Sequence, residues 1–139
     1  MKKNPILKIH KFVFLAEKAL DRRLQSDVGL SFSQSMILVH VAHNPEISQR
    51  HVACERDITP AAVSRHIEAL EEAGLIMRKD RHNNKREHVL TVTVHGGDVV
   101  VRAEQILDLE IKALLDELAF GDSALIERIF DRLLAHFED

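Results

Sequence analysis

Residues 58–78 read ITPAAVSRHIEALEEAGLIMR, and this stretch decides the fold. Thr59 is a typical helix N-cap, and Pro60 suits the first helical position because the N–H that proline lacks has no helical partner there. One face of the helix that follows carries apolar side chains at helical spacing: Val63, Ile67 and Leu70. The pattern predicts a helix that ends just before Gly74 and a β-strand that starts at Leu75.

A second short helix is predicted immediately upstream, over 49–56, with Ser48 as its N-cap. Only a short turn separates the two helices. Ala53 is small enough for the helices to cross closely, and Ile58 can fill the space under the turn. The spacing therefore predicts a helix-turn-helix. Two further helices are predicted upstream, one over 6–24 that is ended by Gly29, and one that is capped by Ser33 and stops before Asn44.

The hydrophobic period changes after Gly74, and the sequence predicts a hairpin with strands at 75–77 and 89–94. The polar segment between them, 78–88, contains five Lys or Arg and two acids, so we expect a basic tip. The Asn83-Asn84 pair suits a turn there. Two helices are predicted after Gly96-Gly97, over 98–119 and over 122–137, the second capped by Asp122 or Ser123.

The predicted fold is mainly α with a small β-hairpin wing. A winged helix-turn-helix domain, 33–96, lies between N-terminal and C-terminal dimerisation helices, 1–32 and 97–139. The flanking helices have apolar stripes wider than a helix-turn-helix core of about 60 residues can cover. We therefore expect a second copy of the chain to cover them, giving a homodimer.

Composition excludes several classes of protein. The chain has 139 residues, of which 45% are hydrophobic and 29% charged, which argues for a globular protein rather than a disordered one. We find no apolar run of membrane-spanning length, no signal peptide, and only one cysteine, Cys54, so we expect a soluble cytoplasmic protein with no membrane partner. Glycine-rich phosphate loops, metalloprotease motifs and nucleophile elbows are missing from the sequence, so we expect neither an enzyme nor a cofactor.

The net charge of the chain is −3, but the charged residues are distributed unevenly along it. Residues 1–30 sum to +4, 31–103 to zero and 104–139 to −7. A local basic surface is therefore compatible with an acidic total. The chain has six Phe but no Trp or Tyr, which counts against the aromatic stacking surfaces of proteins that bind single strands or RNA.

In a helix-turn-helix, the N-terminal part of the second helix meets base edges in the major groove of double-stranded DNA. The residues in that position are Thr59, Pro60, Ala61, Ala62, Ser64, Arg65 and His66. Arg65 has the donor fork that recognises guanine, and Ser64 can bond a base or a phosphate. The wing tip adds Arg81, Asn84, Lys85 and Arg86, whose basic members are suited to phosphates or to a narrow minor groove. Arg78 is expected to brace the wing through an acidic partner rather than touch DNA.

The stretch quoted above resembles the MarR (multiple antibiotic resistance regulator) family of bacterial winged helix-turn-helix transcription factors. The resemblance continues through Lys85-Arg86 to Val92-Thr93-Val94-His95-Gly96, where the family has a Leu-Thr-x-x-Gly ending. Element order and length also fit. The chain departs from the family at the wing, where Asn84-Lys85-Arg86 replaces the usual Asp-Arg-Arg and gives up one planar guanidinium.

The resemblance implies a homodimeric repressor that binds a pseudo-palindromic operator, with half-sites about 34–36 Å apart. It also implies control by a small-molecule effector, in a pocket between the dimer helices and the winged domain. The residues of this chain in that region are Phe12, Phe14, Met36 and His40.

Two alternatives stay open at this point. His40 and His43 lie three apart on one helix face, which would suit a metal-responsive regulator of the zinc type. A winged-helix module that binds proteins without specific DNA binding is the other alternative. Such a module would lack the steep loss of affinity with salt that phosphate contacts impose. Cys54 is interpreted as an ordinary thiol rather than a redox sensor.

Overall fold

The structure is a computed structural model that describes residues 4–56, 58–81, 84–117 and 123–138. In chain order its elements are α1 (Pro5–Val28), α2 (Phe32–His43), β1 (Ile47–Ser48), α3 (Gln49–Glu55), α4 (Pro60–Glu72), β2 (Ile76–Arg81), β3 (Asn84–Val92), α5 (Val94–Glu117) and α6 (Ser123–Ala135). The three strands form one antiparallel sheet in the order β1-β3-β2. The predicted class, mainly α with a small β wing, is confirmed.

The chain divides into two compact units, Met1–Ile106 and Leu107–Asp139. The first unit holds the main core, built from side chains of α2, α3, α4, β2, β3 and the start of α5. Its fully buried members include Ile37, Val52, Val63, Ile67, Leu70 and Leu90. A smaller cluster joins α1 to α5 through Leu24, Ala103 and Ile106. The second unit contains the end of α5 and α6, and most of the large apolar side chains described there are exposed in the single chain.

Helix ends follow the capping residues that the sequence offers. The side chain of Ser48 accepts a hydrogen bond from the N–H of His51, and that of Thr59 accepts one from Ala62, as predicted. Gly29 ends α1 with φ of 73°, a left-handed conformation that glycine adopts without a Cβ penalty. The caps at Ser48 and Thr59 define where the two helices of the helix-turn-helix begin.

The predicted cap of α2 is wrong, because Ser31 rather than Ser33 precedes that helix. Ser31 and Gln34 form a capping box in which each side chain accepts a hydrogen bond from the other residue's N–H. Asp21 of α1 also accepts a hydrogen bond from the N–H of Phe32, at 2.8 Å. The start of α2 is therefore fixed by its own cap and by α1.

The hairpin is longer than predicted. Much of the segment 78–88, expected as a polar tip, is strand, because backbone pairing continues from Ile76↔Val92 to Asp80↔His88 regardless of side-chain polarity. Asn83 of the expected turn lies outside the described residues. The two-residue strand β1 was not predicted, and it pairs Ile47 with Leu90 on the other side of β3.

Helix α5 starts at Val94, four residues earlier than predicted, so Gly96 and Gly97 lie inside its first turn. Its predicted end at 119 lies outside the described residues, and so does Asp122, one of the two predicted caps of α6. Helix α6 ends at Ala135, two residues short of the prediction. No helix in the described ranges is long and apolar enough to cross a membrane.

Candidate nucleic-acid interface

Helix α4 is held against the core by one face. Val63, Ile67 and Leu70 are each fully buried on that side. Because a helix that is buried along one stripe presents its other side outward, Ala61, Arg65 and Glu68 are exposed. The first two turns of α4 therefore present a surface of small side chains with one guanidinium.

The predicted recognition residues differ in accessibility. Thr59, Pro60, Ala61 and Arg65 are exposed, whereas Ala62, Ser64 and His66 are partly buried. The Thr59 hydroxyl accepts a hydrogen bond from Ala62 at 3.1 Å and so serves first as the helix cap. A cap whose partner lies at the start of the helix keeps these N-terminal residues in helical register.

The predicted wing residues lie at the far end of the hairpin. Arg81 ends β2, Asn84 starts β3, and the two are paired in the register of the sheet just after an irregularity at Asp80 and Arg81. The side chains of Arg81, Asn84, Lys85 and Arg86 lie outside the described part of the structure. Their backbone positions come after α4, the predicted recognition helix, and lie at the tip of the β2–β3 hairpin.

Arg78 braces the wing, as the sequence predicted. Its Nη2 donates to Oε1 of Glu71 at 2.6 Å, and its Nη1 donates a longer hydrogen bond of 3.4 Å to Oε1 of Gln49. Glu71 belongs to the last turn of α4, and Gln49 is the first residue of α3. The contact with Gln49 was not predicted, and nothing in the local sequence indicates it.

A second junction joins the end of the wing to α4 and α5. The hydroxyl of Thr93 donates to the carbonyl oxygen of Gly74 at 2.6 Å and accepts from the N–H of Gly96 at 2.9 Å. The N–H of Thr93 donates to the carbonyl oxygen of Leu75 at 3.0 Å. A Cβ at Gly96 would lie only 2.1 Å from that same oxygen. The Thr-x-x-Gly spacing at 93–96 is therefore required by close backbone approach.

Several histidines of the winged domain lie against carboxylates. His51 pairs with Oε1 of Glu55 at 2.6 Å, while Nε2 of His40 lies 2.7 Å from Oε2 of Glu55 without the angle of a hydrogen bond. His43 pairs instead with Glu104 of α5. Because His40 and His43 face different carboxylates, the structure does not bring them together around one centre. Within the described ranges no group of three or more His, Cys, Asp or Glu is arranged to hold a metal ion.

The predicted effector region is only partly assembled in the single chain. A shallow hollow of about 250 Å³ opens between α1 and α2, lined by Phe14, Glu17, Lys18, Asp21, Phe32 and Ser33. Phe14 is thus part of this hollow. Phe12 is half exposed on α1, while Met36 and His40 are partly buried on α2, outside that lining.

Two helices joined by a short turn, with an exposed second helix and a hairpin braced against it, define a winged helix-turn-helix protein. Comparison with known proteins narrows this class. Residues 30–88 match the sequence model of the MarR family. The transcriptional repressor Rv2887 of Mycobacterium tuberculosis is 24% identical over 108 residues, which are 78% of this chain and 78% of the relative.

Solved structures share the fold at low sequence identity. A crystal structure of MarR superposes with a TM-score of 0.86 at 19% identity, covering 98% of this chain and 92% of the other. The complex of Staphylococcus aureus MepR with DNA gives a TM-score of 0.83 at 16% identity, covering 99% and 100%. Residues 30–88 therefore resemble a MarR-family domain, and the relatives and solved structures support a MarR-family winged-helix transcriptional regulator.

Proposed function

We propose that this protein is a cytoplasmic repressor that binds a two-fold symmetric operator in double-stranded DNA as a homodimer. The observation that carries the proposal is the outward face of α4, where small residues surround Arg65 beside a braced wing. Two relatives support it: Rv2887 is named a repressor, and MepR was solved with DNA.

Base reading is assigned to the start of α4. Ala61 and Ala62 allow the helix to approach the groove closely, and the exposed Arg65 can place two donors on guanine O6 and N7. Ser64 and His66, which are partly buried, are suited to phosphate or edge contacts. The wing residues Lys85 and Arg86 would contact phosphates or the minor groove next to it.

Dimer formation is assigned to the flanking helices, because each exposes large apolar side chains in the single chain. On α1 these are Ile6, Leu7, Ile9, Phe12, Val13, Phe14 and Leu15, with exposed fractions between 46% and 68%. On α6 they are Leu125, Ile129, Phe130, Leu133 and Leu134, with exposed fractions between 40% and 56%. Monomeric proteins rarely leave so many large apolar groups in contact with water, so a second copy is the partner we infer.

The DNA proposal is tested by selecting bound sequences from random duplexes and titrating the selected duplex at several salt concentrations. We expect a two-fold symmetric consensus. Arg65→Ala should weaken binding to it by about 1–3 kcal/mol and relax the preference at one position. Lys85→Ala should weaken binding to all sequences and reduce the salt slope by about one unit, whereas Lys112→Ala, the matched control on α5, should do neither. Binding that does not change with salt would favour the protein-interaction module instead.

The dimer proposal is tested by sedimentation equilibrium on two variants of α6. Leu133→Glu places a charge on the apolar stripe and should yield monomers or unfolded chains. Arg128→Glu changes a residue on the opposite face of the same helix and should leave the dimer intact. A wild-type protein that sediments as a monomer at micromolar concentration would refute this part of the proposal.

Effector control is the third part of the proposal. The hollow of about 250 Å³ between α1 and α2 combines two phenyl rings, of Phe14 and Phe32, with the ammonium group of Lys18. The lining also holds the carboxylates of Glu17 and Asp21, so a small aromatic ligand without a net negative charge would suit it. Release of the selected duplex by such compounds, and loss of that release in Phe32→Ala, would support the assignment. Release that Phe32→Ala leaves unchanged would place the effector elsewhere.

A further inference from the structure

The guanidinium of Arg78 connects three elements of the DNA-binding domain. It is bonded to Glu71 at the end of α4 at 2.6 Å and more weakly to Gln49 at the start of α3, at 3.4 Å, while Arg78 itself belongs to β2. The two helices of the helix-turn-helix and the first strand of the wing therefore meet at one side chain.

This guanidinium is partly removed from water. The side chain of Arg78 is 25% exposed and that of Glu71 is 31% exposed. A charge-assisted hydrogen bond in such a setting is stronger than one on an open surface, where ion pairs contribute little. The planar fork of arginine also allows one side chain to serve two acceptors, which the single ammonium of lysine does less well.

The position of Arg78 along β2 allows its contacts to set the direction of the hairpin. It lies opposite Leu90, which is fully buried, so the strand is fixed to the core at that register. The hairpin continues outward from there to Arg81 and Asn84, the backbone positions of the predicted DNA contacts. The direction of the hairpin relative to α4 is therefore set at Arg78, and a change of direction there displaces the tip.

We propose that Arg78 is a positioning residue, which through Glu71 fixes the angle between the recognition helix and the wing so that both can engage one duplex. The inference rests on the proposed function, since it concerns how the assigned DNA-binding elements act together. Binding by two linked elements gains affinity only if their spacing matches the target. A misdirected wing therefore loses its phosphate contacts even though its basic residues remain.

The test compares carboxylate variants, because a positioning role and a simple electrostatic role predict opposite signs. Glu71→Gln removes a negative charge close to DNA, which by electrostatics alone would strengthen binding. If Glu71 orients the wing through Arg78, the same variant should weaken binding to the selected duplex, by roughly 5- to 20-fold, the scale of one lost arginine contact. Glu72→Gln is the matched control, since it removes the same charge from the exposed neighbouring residue of α4.

Two further readouts separate positioning from simple loss of stability. All titrations are made at least 15 °C below the midpoint of thermal unfolding of each variant, so that every chain is folded. The salt slope for Glu71→Gln should fall by about one unit, because a wing phosphate contact is lost although no basic residue was removed. Arg78→Lys should show the same loss of affinity and slope, because it keeps the charge and loses the fork.

Glu71→Gln that binds as tightly as Glu72→Gln, with an unchanged salt slope, would overturn the inference while leaving the proposed function intact. A loss confined to Arg78→Lys would also overturn it, since that pattern indicates that Arg78 contacts a phosphate directly. A wild-type protein that binds no duplex would refute the proposed function, and the inference with it.

Discussion

Replacing Gly96 by alanine should destabilise the protein strongly, although alanine normally stabilises a helix relative to glycine. The new Cβ would lie 2.1 Å from the carbonyl oxygen of Leu75 and 2.7 Å from Cγ1 of Val92. Ordinary contact begins near 3.4 Å, so the Leu75 backbone would have to move by about 1 Å. That movement also breaks the hydrogen bond that the oxygen accepts from Thr93 at 3.0 Å.

Three contributions to the change in unfolding free energy can be added. Overpacking against a backbone atom lies at the upper end of the usual range, about 3 kcal/mol, and the lost hydrogen bond adds about 1 kcal/mol. The better helix propensity of alanine offsets about 1 kcal/mol of this destabilisation. We therefore expect Gly96→Ala to lose about 3 kcal/mol of unfolding free energy, which for a chain of this size lowers Tm by about 10 °C.

Gly97→Ala is the matched control, because a Cβ at Gly97 meets nothing within 4 Å. It should raise stability by about 0.5–1 kcal/mol. Urea unfolding is followed by circular dichroism at 222 nm, since the chain has no Trp or Tyr to report by fluorescence. Protein concentration is kept constant, because association contributes to apparent stability. If the two alanine variants unfold at the same urea concentration, the close-approach argument is wrong.

Three other substitutions have definite expected results. Thr59→Ala removes the hydroxyl that accepts a hydrogen bond from the N–H of Ala62 at 3.1 Å, and it should lower the free energy of unfolding in urea by about 1 kcal/mol. A loss below about 0.3 kcal/mol would show that this hydroxyl does not cap α4. Ser35→Ala should instead stabilise the protein by about 1 kcal/mol, because its fully buried hydroxyl has no hydrogen-bond partner in the described structure, and a destabilised variant would reveal a missing partner. Asp21→Ala should cost about 1–2 kcal/mol, since its carboxylate accepts from the N–H of Phe32 at 2.8 Å, and Asp27→Ala on the same helix serves as the comparison, so equal losses for the two would contradict this contact.

Local capping chemistry explains most of what the sequence predicted about the fold. Ser48, Thr59 and Gly29 each mark a helix end in the structure because their side chain, or the lack of one, satisfies a backbone requirement there. The prediction of Ser33 as the cap of α2 was wrong, because the serine that caps this helix is Ser31. Gln34 lies three residues after Ser31, and that spacing is the signature of the capping box that the structure contains.

The features that were missed depend on distant partners. Polar side chains at 78–81 and 84–88 do not prevent strand formation, since the backbone ladder pairs the main chain whatever the side chains are. Gly96 reads as a helix breaker in isolation, and only the approach of Leu75 shows why glycine is needed inside α5. Among the predicted recognition residues, Pro60, Ala61 and Arg65 are exposed on α4, but the contacts of all seven with DNA and those of the wing stay predictions.

The exposed thiol of Cys54, the single cysteine of the chain, provides a natural site for a spin label. It lies on α3, in the domain that the proposal assigns to DNA, and a nitroxide attached there would need no other residue to be changed. In the proposed homodimer each molecule would carry one spin label per domain. Double electron–electron resonance would then give a single inter-label distance, whose distribution reports how far apart the two domains stand with and without duplex.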